Sequence, residues 1–326
     1  MFLVTRSVQL FILMILIFSS CKEKNDLYPP LPWGEYFYDS KGISPRSISF
    51  ILCENDHSVW LGAQGREGIL HHNGHEWIAY DLSNTAIPFD SITCMLRDGN
   101  GTLWVSWKEG LATFDGTDWQ SVRELEGLCV TSLALQGIGI IWAGIDGDRN
   151  TGGIGRFENN RWKFLTPDNS AILSSRVTCL VSDHDQVLWV GTSDKGVLTF
   201  DGNTWTEPLT GNPAFLTAKI NTLAMNHEGD VWAGTNRSQV IRLMRDNPAF
   251  LLTGTGKPVS CMIFRNDGSL WMGTAGTGLL SFNKGAWECF KSENVHFPGD
   301  SILSLSNDPN GRLLVSFPGG HVITFE

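Results

Sequence analysis

The 326-residue sequence carries 24 Lys and Arg against 34 Asp and Glu, a formal net charge of -10 with a pI near 5.3. No basic tract stands out, which argues against a nucleic-acid partner, because phosphate contacts need a concentrated cationic face. Length alone suggests two domains, but the pattern along the chain assigns nearly all of it to one.

The first predicted element is an export signal. Arg6 precedes an apolar stretch from Val8 to Phe18, shorter than the roughly 20 residues of a membrane span. Phe18-Ser19-Ser20-Cys21 follows. Small residues directly before a Cys at the end of a signal peptide resemble a bacterial lipobox, with Phe18 in place of the usual Leu. That resemblance implies cleavage before Cys21 and lipidation of its thiol; the alternatives are an ordinary signal peptide or a lone buried Cys. Residues 1–20 are thus expected to be the signal peptide and residues 21–31 a lipidated Cys and tether. The mixed Lys22-Glu23-Lys24-Asn25-Asp26 run and the prolines after it suit a stiff spacer. Buried methylenes, worth about 0.8 kcal/mol each, would hold the protein at a membrane in the cell envelope, periplasmic or on the outer-membrane surface.

Residues 32–326 are read as repeats. A central Trp recurs at Trp60, Trp104, Trp142, Trp189, Trp232 and Trp271, with Leu314 in its place in the seventh copy. The period is that of a four-stranded propeller blade, about 40 to 45 residues. Each central strand is apolar at successive positions, as in Val187-Leu188-Trp189-Val190, which predicts a sheet covered on both faces. Third strands open at pairs such as Gly110-Leu111 and Gly196-Val197 and run into Asn73-Gly74, Asp115-Gly116 or Asp201-Gly202. Such pairs tolerate positive φ at both positions and close tight hairpins. Fourth strands open at Trp77, Trp119, Trp162, Trp205, Phe250 and Trp287. The seventh copy stops at Glu326 after its third strand, and the Trp-led segment 32–38 is expected to complete it, closing the ring and removing its edges. The expected fold is all-β, a seven-bladed β-propeller of four-stranded antiparallel blades whose last blade is completed by an N-terminal strand.

Leu188-Trp189-Val190-Gly191-Thr192, then Gly196-Val197-Leu198-Thr199-Phe200-Asp201-Gly202 and Trp205, resembles the two-component regulator propeller repeat. That family builds the periplasmic sensor propellers of hybrid histidine kinases, often tied to polysaccharide sensing, and also occurs in free-standing lipoproteins. The resemblance implies sensor-like binding. Because the repeats run to Glu326, the kinase and DNA-binding parts of the hybrid sensors are not expected here.

Cys94, Cys179 and Cys261 fall at one equivalent place in the first strands of alternate blades, which marks a small buried site near the axis rather than a disulfide. His71, His72 and His75 surround a turn and lack a fourth zinc ligand. Asp146, Asp148 and Asn150 have the spacing that opens a calcium loop, but Phe157 stands where the closing acid belongs, so they are only weak candidates beside a polar surface loop. No Ser-His-Asp grouping, paired acids or cofactor motif emerges, so no catalytic residue and no cofactor is assigned.

The loops between second and third strands carry a basic residue in five successive blades, Arg66, Lys108, Arg149, Lys195 and Arg237. They should emerge on the face where ligands commonly bind a propeller, either as a cationic arc or as ordinary exposed loop residues. Where other blades carry Thr192, Thr235 or Thr274, blades two and seven carry Trp107 and Phe317. These two are expected to be exposed aromatics flanking blade one, a stacking cleft for a sugar ring. The expected function is a lipid-anchored, non-enzymatic extracytoplasmic binding protein for a glycan or protein ligand on the loop face. The alternatives are a propeller lyase or hydrolase with a site in the central funnel, and a protein-partner scaffold.

Overall fold

The computed structural model describes residues 47–55, 58–208, 217–244, 247–253 and 255–325. Cys21, the tether and the Trp33 segment lie outside the described residues. Six repeats form four-stranded antiparallel sheets and the seventh a three-stranded one, each with its strands in chain order from the axis outward. The inner strands are Ile48–Asn55, Ile92–Arg97, Cys129–Gln136, Val177–Ser182, Ile220–Met225, Val259–Phe264 and Ser304–Asn307. Each touches the next, and the last touches the first, so seven blades surround one axis. No helix among the described residues is long and apolar enough to cross a membrane.

The Trp-centred strands are buried along their middle, and at every position in Leu188–Thr192. A blade cannot cover both of its own faces, so each Trp packs into the next blade: Trp189 lies with Ile220, Val231 and Ile241 of blade five. The indole N–H groups of Trp104 and Trp189 donate to Asp98 and Asp183 in the turns below them.

The Gly of the repeat has a steric cause. A Cβ at Gly62 would fall 2.5 Å from Ile92 Cγ2, and one at Gly273 2.6 Å from Ile302 Cγ2, so this position is where the next blade's inner strand presses in. That strand is bulged at its second residue. The bulged residues form a collar about the axis. Ser49, Thr93, Thr131, Thr178 and Ser260 each donate a hydroxyl to the carbonyl of Ile92, Val130, Val177, Ile220 and Ile302 in the following blade, at 2.6 to 3.0 Å. Asn221 does the same with its amide, to Val259 at 2.8 Å.

Blade seven has Leu303 at this place, and Ser316 on the neighbouring strand takes over, donating to the Ile48 carbonyl at 3.1 Å. Ser304 and Ser306 accept from the Ile51 and Cys53 amides at 3.3 Å, and Ser47 bridges to Pro318. The ring therefore closes through its inner strands. The outermost described strand of blade seven is Val322–Phe325.

The hairpin turns differ in detail from the expectation. At Asn73-Gly74, Asp115-Gly116 and Asp201-Gly202 only the Gly has positive φ. The Asp or Asn instead caps the turn: Asp115 Oδ1 accepts from the amides of Thr117 and Asp118, both at 2.8 Å. Two consecutive positive-φ residues occur at Asn159-Asn160 and Lys284-Gly285. None of the six described cysteines forms a disulfide with another of them. Burial raises the Cys94 thiol to about 11 and those of Cys179 and Cys261 to about 12, so they stay protonated and inert.

Candidate functional site

Loops between second and third strands share a face with the connections between blades, because the two are hydrogen-bonded together. Gly65 and Ser91, Glu109 and Gly127, Gly147 and Ser175, Asn236 and Lys219, and Ala275 and Pro258 are joined through their backbones at 2.9 to 3.1 Å. Arg66, Lys108, Arg149, Lys195 and Arg237 are all exposed on this face. Arg149 pairs with Asp168 at 3.1 Å and Arg66 approaches Asp90 only to 3.8 Å, while Lys108, Lys195 and Arg237 make no ion pair among the described residues. The connections add two cations that the loop alignment missed. Lys219 and Lys257 are exposed and likewise unpaired among the described residues, so blades four to six present Lys195, Lys219, Arg237 and Lys257 along one sector. Lys219 is bonded through its carbonyl to Asn236, next to Arg237.

The aromatic cleft is corrected. Trp107 is 3 % exposed and Phe317 0 %, so neither offers a ring face to a ligand. Their position ends the central strand and points under the loop. Where it is Thr, the hydroxyl serves the loop itself: Thr192 donates to the Gly196 carbonyl at 2.8 Å and accepts from the Lys195 amide at 2.9 Å. In blades two and seven an aromatic from the connection entering the same blade seals the site instead, with Phe89 5.5 Å from Trp107 and Phe297 5.2 Å from Phe317. Phe89 and Phe297 were the sequence signal for burial, readable only once connection and loop are known to meet.

Asp148 is occupied as a turn cap, accepting from the Asn150 and Thr151 amides at 2.8 and 3.0 Å, which holds its carboxyl below the usual range. Asp146 lies 3.4 Å from Arg176. Among the described residues no three His, Cys, Asp or Glu side chains are grouped to hold a metal. His71 lies against the Trp60 ring at 3.7 Å, nearly parallel, on the face opposite the loops. Ser58 donates to Glu54 at 3.0 Å, so His71 Nε2, 3.1 Å from Ser58 Oγ, carries the proton and donates. Burial lowers the His71 pKa to about 4, with Arg97 and His72 acting in the same direction and Glu54 opposing.

Residues 86–106 and 171–194, each running from an inter-blade connection through the inner strand into or just past the Trp-centred one, match the two component regulator propeller model. Two of the seven repeats thus match regulator propeller repeats. A comparison with curated proteins found no match. Among solved structures, the extracellular domain of hybrid two component system BT3049 from B. thetaiotaomicron superposes with a TM-score of 0.74 at 18% identity, over 87% of this chain and 39% of that one. The chain thus spans well under half the length of that sensor domain. PorZ, a surface component of the type-IX secretion system of Porphyromonas gingivalis, matches at a TM-score of 0.66 and 16% identity, over 86% of this chain and 46% of its own. Virginiamycin B lyase from Staphylococcus aureus matches at 0.69 and 11%, over 86% and 94%. Regulator propeller repeats therefore share their fold with sensor, secretion-system and enzyme propellers, and function must be argued from the site.

Proposed function

We propose that this chain is a non-enzymatic, lipid-anchored binding propeller of the bacterial cell envelope, taking an anionic glycan on its loop face. The observation that carries the reading is the sector of four exposed cations, Lys195, Lys219, Arg237 and Lys257, without an ion pair among the described residues, on a protein whose net charge is -10. A local field opposed to the overall charge attracts acidic ligands selectively. The repeat resemblance supports a glycan as their source, and the extracellular sensor-type neighbours support a binding role.

The test uses the soluble form beginning at Lys22 on arrays of acidic and neutral polysaccharides, beside a hydrolase and lyase panel. Uronate- or sulfate-bearing glycans should bind in a salt-sensitive way, and Lys219→Gln with Arg237→Gln should abolish it. Equal binding of neutral glycans, or turnover in the enzyme panel, would refute the reading. In cells, Cys21→Ser should release the protein from membranes; continued membrane partitioning of the variant would reject the anchor.

A further inference from the structure

On the face opposite the loops, the turn after each inner strand usually begins with a polar residue that serves its own blade. Asp98 and Asp183 accept from their amide neighbours and from the Trp indole. Blade six breaks this pattern, and blade seven keeps the Asp but not the Trp. In blade six the residue is Arg265, and Ser269 takes over the indole of Trp271 at 2.9 Å. The guanidinium of Arg265 lies 5.7 Å over the Trp271 ring and donates from Nη2 across the joint to the Gly311 carbonyl. In blade seven the Trp is Leu314, so Asp308 Oδ2 has no indole to bind. Arg312 occupies it instead, donating from Nε at 2.5 Å.

The two departures deliver two guanidinium groups to one place. Arg265, Asn310, Gly311 and Arg312 line a depression of about 360 Å³ at the joint between blades six and seven. Asp308 is buried, 2 % exposed at its side chain, and is satisfied by the Arg312 Nε and backbone amide. It neutralises Arg312 without closing off that residue's Nη groups. Arg265 has no ion-pair partner among the described residues, and its Nε and Nη1 make no hydrogen bond there. Both side chains are half-buried and fixed, one by ring stacking and one by a buried carboxylate, so little conformational freedom is left to lose on binding.

We infer that this depression binds an oxyanion group, a carboxylate, sulfate or phosphate, between the guanidinium groups of Arg265 and Arg312. Planar forks of fixed orientation suit that geometry, which a single ammonium does not reproduce. The volume leaves room for the sugar or other small body that carries the anion. The site is independent of the loop-face reading, lying on the other side of the ring.

The test titrates the full chain, in detergent, with inorganic sulfate, inorganic phosphate and glucuronate, following calorimetry or side-chain guanidinium resonances. Saturable binding of at least one probe is expected, weakened roughly tenfold or more in Arg265→Gln, the worth of one charge-assisted pair. Arg265→Lys should also weaken binding while keeping the charge, which covers the case in which Arg265→Gln does not fold. Arg237→Gln, on the opposite face, should bind as the parent does. The three probes distinguish which oxyanion the site prefers. The inference is overturned if no probe saturates, if Arg265→Lys binds like the parent, or if Arg237→Gln loses as much as the Arg265 variants.

Discussion

Replacing Trp107 with Ala separates a packed residue from a ligand platform. The indole is almost wholly enclosed, and its N–H has no hydrogen-bond partner among the described residues, so the loss is one of packing alone. A large-to-small change at such a site costs about 3–5 kcal/mol, and the melting temperature should fall by about 10 °C. Gly110 supplies an internal control, since a Cβ there would lie 2.7 Å from Trp107 Cζ2. Gly110→Ala alone should therefore cost about 1–3 kcal/mol through overpacking. In the Trp107→Ala background that penalty should largely vanish, giving a coupling of about 1–2 kcal/mol in a double-mutant cycle. Denaturant titration of the four proteins measures it. A loss below about 1 kcal/mol for Trp107→Ala, or an equal cost of Gly110→Ala in both backgrounds, would refute the packing described for blade two.

Two further outcomes follow from the ring and from His71. The outer-strand Trp precedes an aliphatic residue at the start of the next inner strand, or two residues before it in blade seven, by fifteen positions at Trp77 and Ile92, Trp162 and Val177, Trp205 and Ile220, and Trp287 and Ile302, and Trp33 stands fifteen before Ile48. If that segment pairs with the Val322–Phe325 edge, deleting residues 32–38 should lower the melting temperature sharply; an unchanged transition would exclude that pairing. The folded pKa of His71, about 4, lies below its ordinary 6.5, so the unfolded chain takes up the proton first as pH falls. Its contribution is complete above pH 6.5 and is lost between 6.5 and 4. With solvent screening it amounts to about 1–2 kcal/mol. His71→Gln should flatten the stability curve across that window, and a curve as steep as the parent's would contradict the assignment.

The blades were legible because each repeat states the same local bargain between strand, turn and Trp, and period alone locates them. Gly191 in Leu188-Trp189-Val190-Gly191-Thr192 is readable as a small residue, but its cause, the press of Ile220 from the next blade, is visible only in the assembled ring. The exposure of Trp107 was misread for a related reason. An aromatic in a loop alignment looks solvent-facing until the connection carrying Phe89 is placed over it. Lys219 and Lys257 escaped because they sit in the connections between blades, not in the loops that an alignment on the central Trp compares. Arg265 and Arg312 each look like isolated departures from a loose repeat, and only the joint between blades brings them to one depression.

The hydroxyl collar runs in a single rotational sense, every donor addressing the blade that follows. Six of its joints span 37 to 46 residues of chain, whereas Ser316 reaches back 268 residues to Ile48. The six can fasten as soon as two consecutive blades exist, during synthesis if need be. The seventh must wait until both extremities are present, because contacts of large sequence separation form late. The molecule is in this respect a belt with one buckle, and a protease or a pulling force should find its first purchase between Ser316 and Ile48, leaving a chain of blades still joined side by side.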